Sequence, residues 1–260
     1  MRYYKIHDEF SQLTNFTCSL PETFEHIGWI VQDHRNVIKK VIVSDVTLII
    51  KYFKGMYFFN RLAYSFIKKS KAERSYMYSR LLQEKGVITP PQVAWIDCYH
   101  FGLLTHSYFI SVYSPYQTMK EVLEFYNRND PSLKWPLYHH LAAFAFRLHQ
   151  LGIYHNDFSL TNILVIPTLE GYEFSLVDLN RIRLRKVGHR KGLHNFARFG
   201  LPSEDMNVLV EEYAKLSGEP AATSLSLFWI DKKRASFLRE VRVQIRNYTI
   251  KPLKKLIACM

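Results

Sequence analysis

Residues 154–165 read Tyr-His-Asn-Asp-Phe-Ser-Leu-Thr-Asn-Ile-Leu-Val, and Val177-Asp178-Leu179-Asn180 begins twelve residues after that apolar run ends. Phosphoryl transfer is mostly positioning and charge neutralisation. One carboxylate orients the acceptor hydroxyl, while an amide oxygen and a second carboxylate hold a divalent cation against a triphosphate. A His-x-Asp-x-x-x-x-Asn run ahead of a short strand, with an Asp ending a second strand, carries those groups at the spacing this chemistry uses. Asp157 takes the first role, and Asn162 and Asp178 take the others. A single Asp or Asn beside an apolar run is ordinarily a turn former or a cap. It is the conjunction of three that points to chemistry.

Such a site needs elements to hold it. Residues 141–151 read as a helix leading into the loop, and residues 163–166 and 174–177 read as two short strands, with Gly171 in their turn. Upstream there must be a Lys on a strand and a Glu on the helix that follows. Residues 41–54 form two β-branched strands around a Ser44-Asp45 turn. Lys51, at the end of the second apolar run, is the phosphate-contacting lysine, with Lys54 its rival. A helix over residues 70–84, with Ala72, Tyr76, Leu81 and Leu82 inward, offers Glu73 and Glu84. Glu73 is preferred because Glu84 adjoins the helix end at Gly86.

Strands near residues 35–43, 47–53, 92–96 and 108–113 surround that helix. This predicts an α+β, bilobal, protein-kinase-like fold forming one catalytic unit. Its small β-rich N-lobe covers residues 1–113 and its mainly helical C-lobe residues 114–260. Ser114-Pro115 breaks the last strand and marks the hinge, so Ser111, Val112 and Tyr113 should face the adenine. Further helices are expected over residues 119–127, 135–151, 203–216 and 232–247. The first 34 residues show no clear periodicity, and their structure is left open.

Four stretches together resemble the lipopolysaccharide kinase family, which phosphorylates Kdo or heptose in the lipopolysaccharide inner core. They are Lys68-Lys69-Ser70-Lys71-Ala72-Glu73-Arg74-Ser75-Tyr76, Gly86-Val87-Ile88-Thr89-Pro90, Tyr154-His155-Asn156-Asp157-Phe158-Ser159 and Val177-Asp178-Leu179-Asn180-Arg181. The resemblance spans residues 35–213. It implies an ATP- and Mg²⁺-dependent sugar kinase at the cytoplasmic face of an inner membrane, with Lys51 paired to Glu73, Asp157 as base, and Asn162 and Asp178 on the metal. An aminoglycoside-like small-molecule kinase and a nucleotide-binding pseudokinase scaffold are the alternatives. Three departures from the protein-kinase pattern matter. No glycine lies in residues 35–43, so Arg35, Lys39 or Lys40 would replace backbone cradling of the phosphates with side-chain cations. Asn156 stands where an Arg usually precedes the catalytic Asp, and Asn180 stands in place of the Gly of Asp-Phe-Gly. Neither activation-loop phosphorylation nor a flipping Asp-Phe-Gly switch is expected.

A formal net charge of +12 over 260 residues favours an anionic partner. Between Asp178 and Glu204 there is no acidic residue, whereas Arg181, Arg183, Arg185, Lys186, Arg190, Lys191 and Arg198 all fall there. In a kinase fold this segment lies beside the acceptor site, and the resemblance implies that Arg181, Arg190 and Lys191 meet an anionic glycolipid acceptor, lipopolysaccharide core or lipid A–Kdo, against the plain reading of a solvated loop. Residues 232–255 mix basic and apolar side chains and suit either an anionic membrane surface or a core-facing helix. No nucleic-acid module is recognisable. No apolar run is long enough to span a bilayer, and the charged N-terminus is unlike a secretory signal. Together with three scattered cysteines, Cys18, Cys98 and Cys259, this leads to the expectation of a cytoplasmic protein, and the resemblance adds peripheral contact with the cytoplasmic face of the inner membrane as the alternative to a purely soluble one.

Overall fold

Ser44 and Asp45 both take positive φ, 47° and 65°, the type I′ geometry whose twist matches a two-residue hairpin. They join β3 (Val37–Val43) to β4 (Val46–Tyr52), paired from Val43↔Val46 to Val37↔Tyr52. In the computed structural model, which describes residues 1–54 and 69–245, this hairpin is part of a six-stranded antiparallel sheet. Its other strands are β1 (Arg2–Ile6), β2 (Trp29–Asp33), β5 (Gln92–His100) and β6 (Leu103–Val112), in the order β1-β5-β6-β4-β3-β2. Strand alternation gives the sheet two faces. Leu48, Ile50, Ile96, Tyr108 and Ile110 pack against Leu13, Leu20 and Phe24, the last two at or next to α1 (Thr14–Thr23). The opposite face presents Ile38, Ile49, Lys51, Phe109 and Ser111.

The strand expected from residue 35 begins at Val37 instead. His34, Arg35 and Asn36 make a turn closed by the His34 N–H on the Asn36 carbonyl at 3.2 Å. Helix α2 (Lys71–Glu84) starts at Ser70, whose hydroxyl accepts from the Glu73 N–H at 2.9 Å. It buries Ala72, Ser75, Tyr76, Ser79 and Leu82, a stripe at helical spacing. Ser79 fixes it to the sheet by donating to Gln92 Oε1 at 2.9 Å. After β6 the chain runs irregularly past Ser114-Pro115 to α3 (Met119–Asn129).

The chain forms two compact units. The first holds Met1–Asn129 and His155–Arg183; the second holds Asp130–Tyr154 and the chain from Leu184 onward. In the second, α4 (Lys134–Gln150), α5 (His189–Asn195), α6 (Ser203–Ser217) and α7 (Ala221–Ile245) bury Leu137, Tyr138, Leu141, Ala145, Phe196, Leu209, Tyr213 and Phe228. Asp205, almost fully enclosed, accepts from the Tyr138 hydroxyl and from Lys134, each at 2.8 Å. Pairing satisfies a buried charge that would otherwise be costly. The helix expected over residues 232–247 is part of the longer α7; Gly218, at φ 72°, ends α6 just before it. Residues 246–255 of the basic run, and Cys259, lie outside the described residues. Among the described residues no helix is long and apolar enough to cross a membrane.

Candidate active site

The first unit contains a cleft of about 770 Å³ lined by Lys51, Asp157, Asn162 and Asp178, together with Ser111, Val112 and Tyr113. The loop residues are held by backbone bonds. His155 Nδ1 accepts the Asp157 N–H at 3.1 Å, and Asn162 Nδ2 donates to the Asp157 carbonyl at 2.9 Å. Asn162 leads into β7 (Ile163–Thr168), which pairs with β8 (Gly171–Leu176). At the end of β8 the Val177 N–H donates to the Asn162 carbonyl at 3.0 Å, joining the two halves of the site. The segment before β5 clamps the same strand: Leu176 N–H donates to the Ile88 carbonyl, and the Thr89 hydroxyl donates to the Leu176 carbonyl at 2.8 Å. Burial pushes the His155 imidazole down, partly opposed by Asp178 and Asp157. A neutral ring can accept at Nδ1 while remaining enclosed.

Asp178 sits in left-handed backbone, φ 57°, a conformation Asp tolerates better than most residues and one that recurs at functional sites. Its Oδ1 accepts from Lys51 Nζ and from Asn180 Nδ2, the latter at 2.6 Å. Burial alone would raise this carboxyl. The charge and hydrogen bond of Lys51, with His155 and Arg181 beyond, more than offset that and hold it below the usual carboxylate range. Asn180, nearly buried, thus pins the carboxylate from the position a glycine would leave empty.

Lys51 and Glu73 do not form the expected pair. Lys51 bonds Asp178, while Glu73 bonds Lys69 at 2.8 Å. The reason is helical phase. Glu73 is the third helical residue, where an acid complements the exposed N–H groups of the first turn, and it lies off the buried stripe. Ser75 is the α2 residue that lines the cleft. Lys71 also approaches Lys51: both ammoniums lie over the Phe53 ring, at 5.7 and 5.4 Å. Burial pushes Lys71 down first, then repulsion from Arg35, Arg181, Arg74 and Lys51. No sequence reading had singled out Lys71 or Ser75.

The rival lysine and the three candidate loop cations also separate. Lys54 bonds Asp33 at 2.5 Å. Lys39 is buried on the core face, donating to the carbonyls of Phe24 and Glu25 at 2.6 and 3.0 Å. Lys40 lies over the Tyr113 ring at 3.7 Å. Arg35, in the β2–β3 turn, is the one of the three that lines the cleft. Of the residues expected at the adenine, Val112 and Tyr113 have their N–H groups on the carbonyls of Pro91 and Thr47, at 2.9 and 2.8 Å.

The three tentative substrate residues diverge as well. Arg181 Nη1 lies 3.3 Å from Asp157 Oδ2. In the second unit, Arg190 grips both oxygens of Asp231 at 2.9 and 2.7 Å, and Lys191 lies over the Tyr154 ring at 4.8 Å.

The oxygens left at the loop suit a hard divalent cation. With Asn162 Nδ2 committed to a carbonyl, its Oδ1 is the free end of the amide, and Asp178 retains Oδ2. Among the described residues no cluster of three or more His, Cys, Asp or Glu could hold a metal. Mg²⁺ sites are commonly built from one or two protein oxygens plus phosphates and water.

Comparison with known proteins gives a consistent result. No curated protein matches the sequence. The solved structure "WaaP in complex with acyl carrier protein" superposes with a TM-score of 0.62 at 17% identity, covering 89% of this chain and 98% of that one. The shared fold is the kinase-like α+β architecture. Residues 31–216 match the sequence profile described as "Lipopolysaccharide kinase (Kdo/WaaP) family", and across that span, which includes the cleft, the loop and both halves of the site, the chain belongs to that family.

Proposed function

We propose that the protein transfers the γ-phosphate of ATP, in the presence of Mg²⁺, to a hydroxyl of Kdo or heptose in the lipopolysaccharide inner core. Family membership supports a phosphotransferase acting on lipopolysaccharide core sugar. The observation that carries the residue assignment is the convergence of Lys51, Asp157, Asn162 and Asp178 on one cleft. Asp157 accepts the proton of the acceptor hydroxyl as its oxygen bonds to the γ-phosphorus and the bond to the bridging oxygen breaks, releasing ADP. Lys51 has three donors; one is used on Asp178, leaving others for phosphate oxygens. Arg35 and Lys71 add positive charge beside them. Asn162 and Asp178 would hold Mg²⁺, which when bound neutralises phosphate charge.

The acceptor is read as an anionic glycolipid, met at the cytoplasmic face of the inner membrane. Exposed Ile230, Phe237, Leu238 and Val243 on α7, beside Lys233 and Arg234, support peripheral contact with an anionic bilayer. The deciding test incubates purified protein with Mg·ATP and separately with Kdo- and heptose-bearing core acceptors, followed by product mass and fragmentation. Phosphate on a core sugar is expected. Transfer only to small soluble sugars, or nucleotide binding with no transfer, rejects the assignment.

A further inference from the structure

Asn156 occupies the position where a cationic residue usually precedes the base, and it spends its hydrogen bonds on a single partner. Its backbone N–H and its Nδ2 both donate to the Arg181 carbonyl, at 3.1 and 2.9 Å. Arg181 replies with its side chain, placing Nη1 3.3 Å from Asp157 Oδ2. One residue on the loop after Asp178 is therefore anchored by its backbone to the catalytic loop and returns a guanidinium to the base. Its charge is felt by Lys71 and by Asp178 too.

We propose that Arg181 is the positioning residue for Asp157, taking over from the loop on the metal strand the place vacated by Asn156. A guanidinium on Oδ2 restrains rotation of the carboxylate and so fixes the plane it presents to the acceptor hydroxyl. Because phosphoryl transfer depends on alignment, a carboxylate free to rotate would cost turnover more than binding. This assignment rests on the reading of Asp157 as the base. It replaces acceptor recognition as the role of Arg181.

The test measures kcat and both KM values for the wild type, Arg181→Ala, Arg181→Gln, Arg181→Lys and Asn156→Ala, with and without added guanidinium ion. Arg181→Ala should lower kcat about 30–100-fold, the loss of one charge-assisted contact to the base. KM for ATP and for acceptor should stay within about threefold. Guanidinium should restore part of the activity of Arg181→Ala, and Arg181→Lys should lie between it and the wild type. Asn156→Ala, which keeps the charge but loosens its anchor, should lose less. If Arg181→Ala does not fold, the neutral Arg181→Gln gives the same comparison. An unchanged kcat with a raised acceptor KM overturns the proposal in favour of acceptor recognition. A wild type that phosphorylates no acceptor instead defeats the kinase reading itself.

Discussion

Arg181 and Arg190 stand nine residues apart in one acid-free stretch, yet they meet opposite fates. Arg181 turns to Asp157 in the cleft of the first unit. Arg190, in the second, grips Asp231, and its neighbour His189 bonds the hydroxyls of Ser217 and Ser224 at 2.8 and 2.9 Å. A run of like charge is therefore not one surface. Each cation is defined by the distant segment packed against it, and those segments differ in kind. Around the cleft, Lys51, Lys71, Arg35 and Arg181 crowd two carboxylates, an arrangement suited to an incoming polyanion. Around α5, Arg190 and His189 are absorbed by local structure.

The largest expected effects lie at the carboxylates of the cleft. Asp157→Asn should lower kcat about 10³-fold or more while nucleotide affinity is retained. Asp178→Asn should lower turnover comparably and also weaken Mg·ATP binding, because it frees Lys51 and removes the oxygen proposed for the metal. Steady-state kinetics with nucleotide titration separates the two. Near-wild-type turnover in either folded variant would break the contrast between a reactive and a structural region.

The upstream cations sharpen the same contrast. Lys51→Met should cost about 100-fold in kcat/KM for ATP, and Lys71→Met about tenfold, acting mainly on KM for ATP. Glu73→Gln should cost no more than about threefold, since that carboxylate serves the helix start and Lys69. A Glu73→Gln loss as deep as that of Lys51→Met would mean that α2 turns to bring Glu73 to Lys51 during turnover.

How much of this was legible depended on how local the cause was. The Ser44-Asp45 turn, the start of α2 at residue 70 and the Asp157-to-Asn162 spacing are set by neighbours in sequence, and each is read directly from it. The N-terminal segment could not. Leu13, Thr17, Leu20 and Phe24 do recur at helical spacing and are all buried, but Pro21 and short 3-10 turns interrupt the pattern. The pairing of β1 is with β5, some ninety residues away. Ser70-x-x-Glu73 is itself a capping signature, and in this structure Glu73 serves the helix start and Lys69 rather than Lys51, a choice set by helical phase that the kinase pattern does not convey. The Asp157–Arg181 and Arg190–Asp231 pairs have no local signal at all.

On the other side of the comparison, Gly192 tests how tightly α5 is built in. A Cβ there would lie 1.9 Å from the Tyr213 hydroxyl and 2.9 Å from His149 Nδ1, so Gly192→Ala should destabilise by about 2 kcal/mol through overpacking. Thermal melts read this, and kcat per folded molecule should change little. The same cluster predicts acid sensitivity. Burial pushes the His149 imidazole down, with its bond to Asn195 partly opposing, so the folded protein favours the neutral ring more than the unfolded chain does. That contribution is complete above the unfolded pKa of about 6.5 and is lost as pH falls below it. His149→Gln should flatten the fall in melting temperature between about pH 6.5 and 5. An unchanged slope would remove His149 as its source.

The smallest effect separates Arg190 from Lys191. Arg190 is bidentate to Asp231, whose carboxyl is held below the usual range by that hydrogen bond, so its charge is already matched. Lys191 touches only the Tyr154 ring among the contacts seen for its ammonium, and a cation over an aromatic face keeps its charge available to an anion. If the glycolipid reaches α5, Lys191→Gln should raise the acceptor KM about twofold to threefold at low salt and lose that effect at high salt. Arg190→Gln should leave KM and its salt dependence alone and lower the melting temperature slightly. A KM effect of Arg190→Gln equal to that of Lys191→Gln would show that the Asp231 pair opens to the substrate. No effect from either would confine acceptor recognition to the first unit.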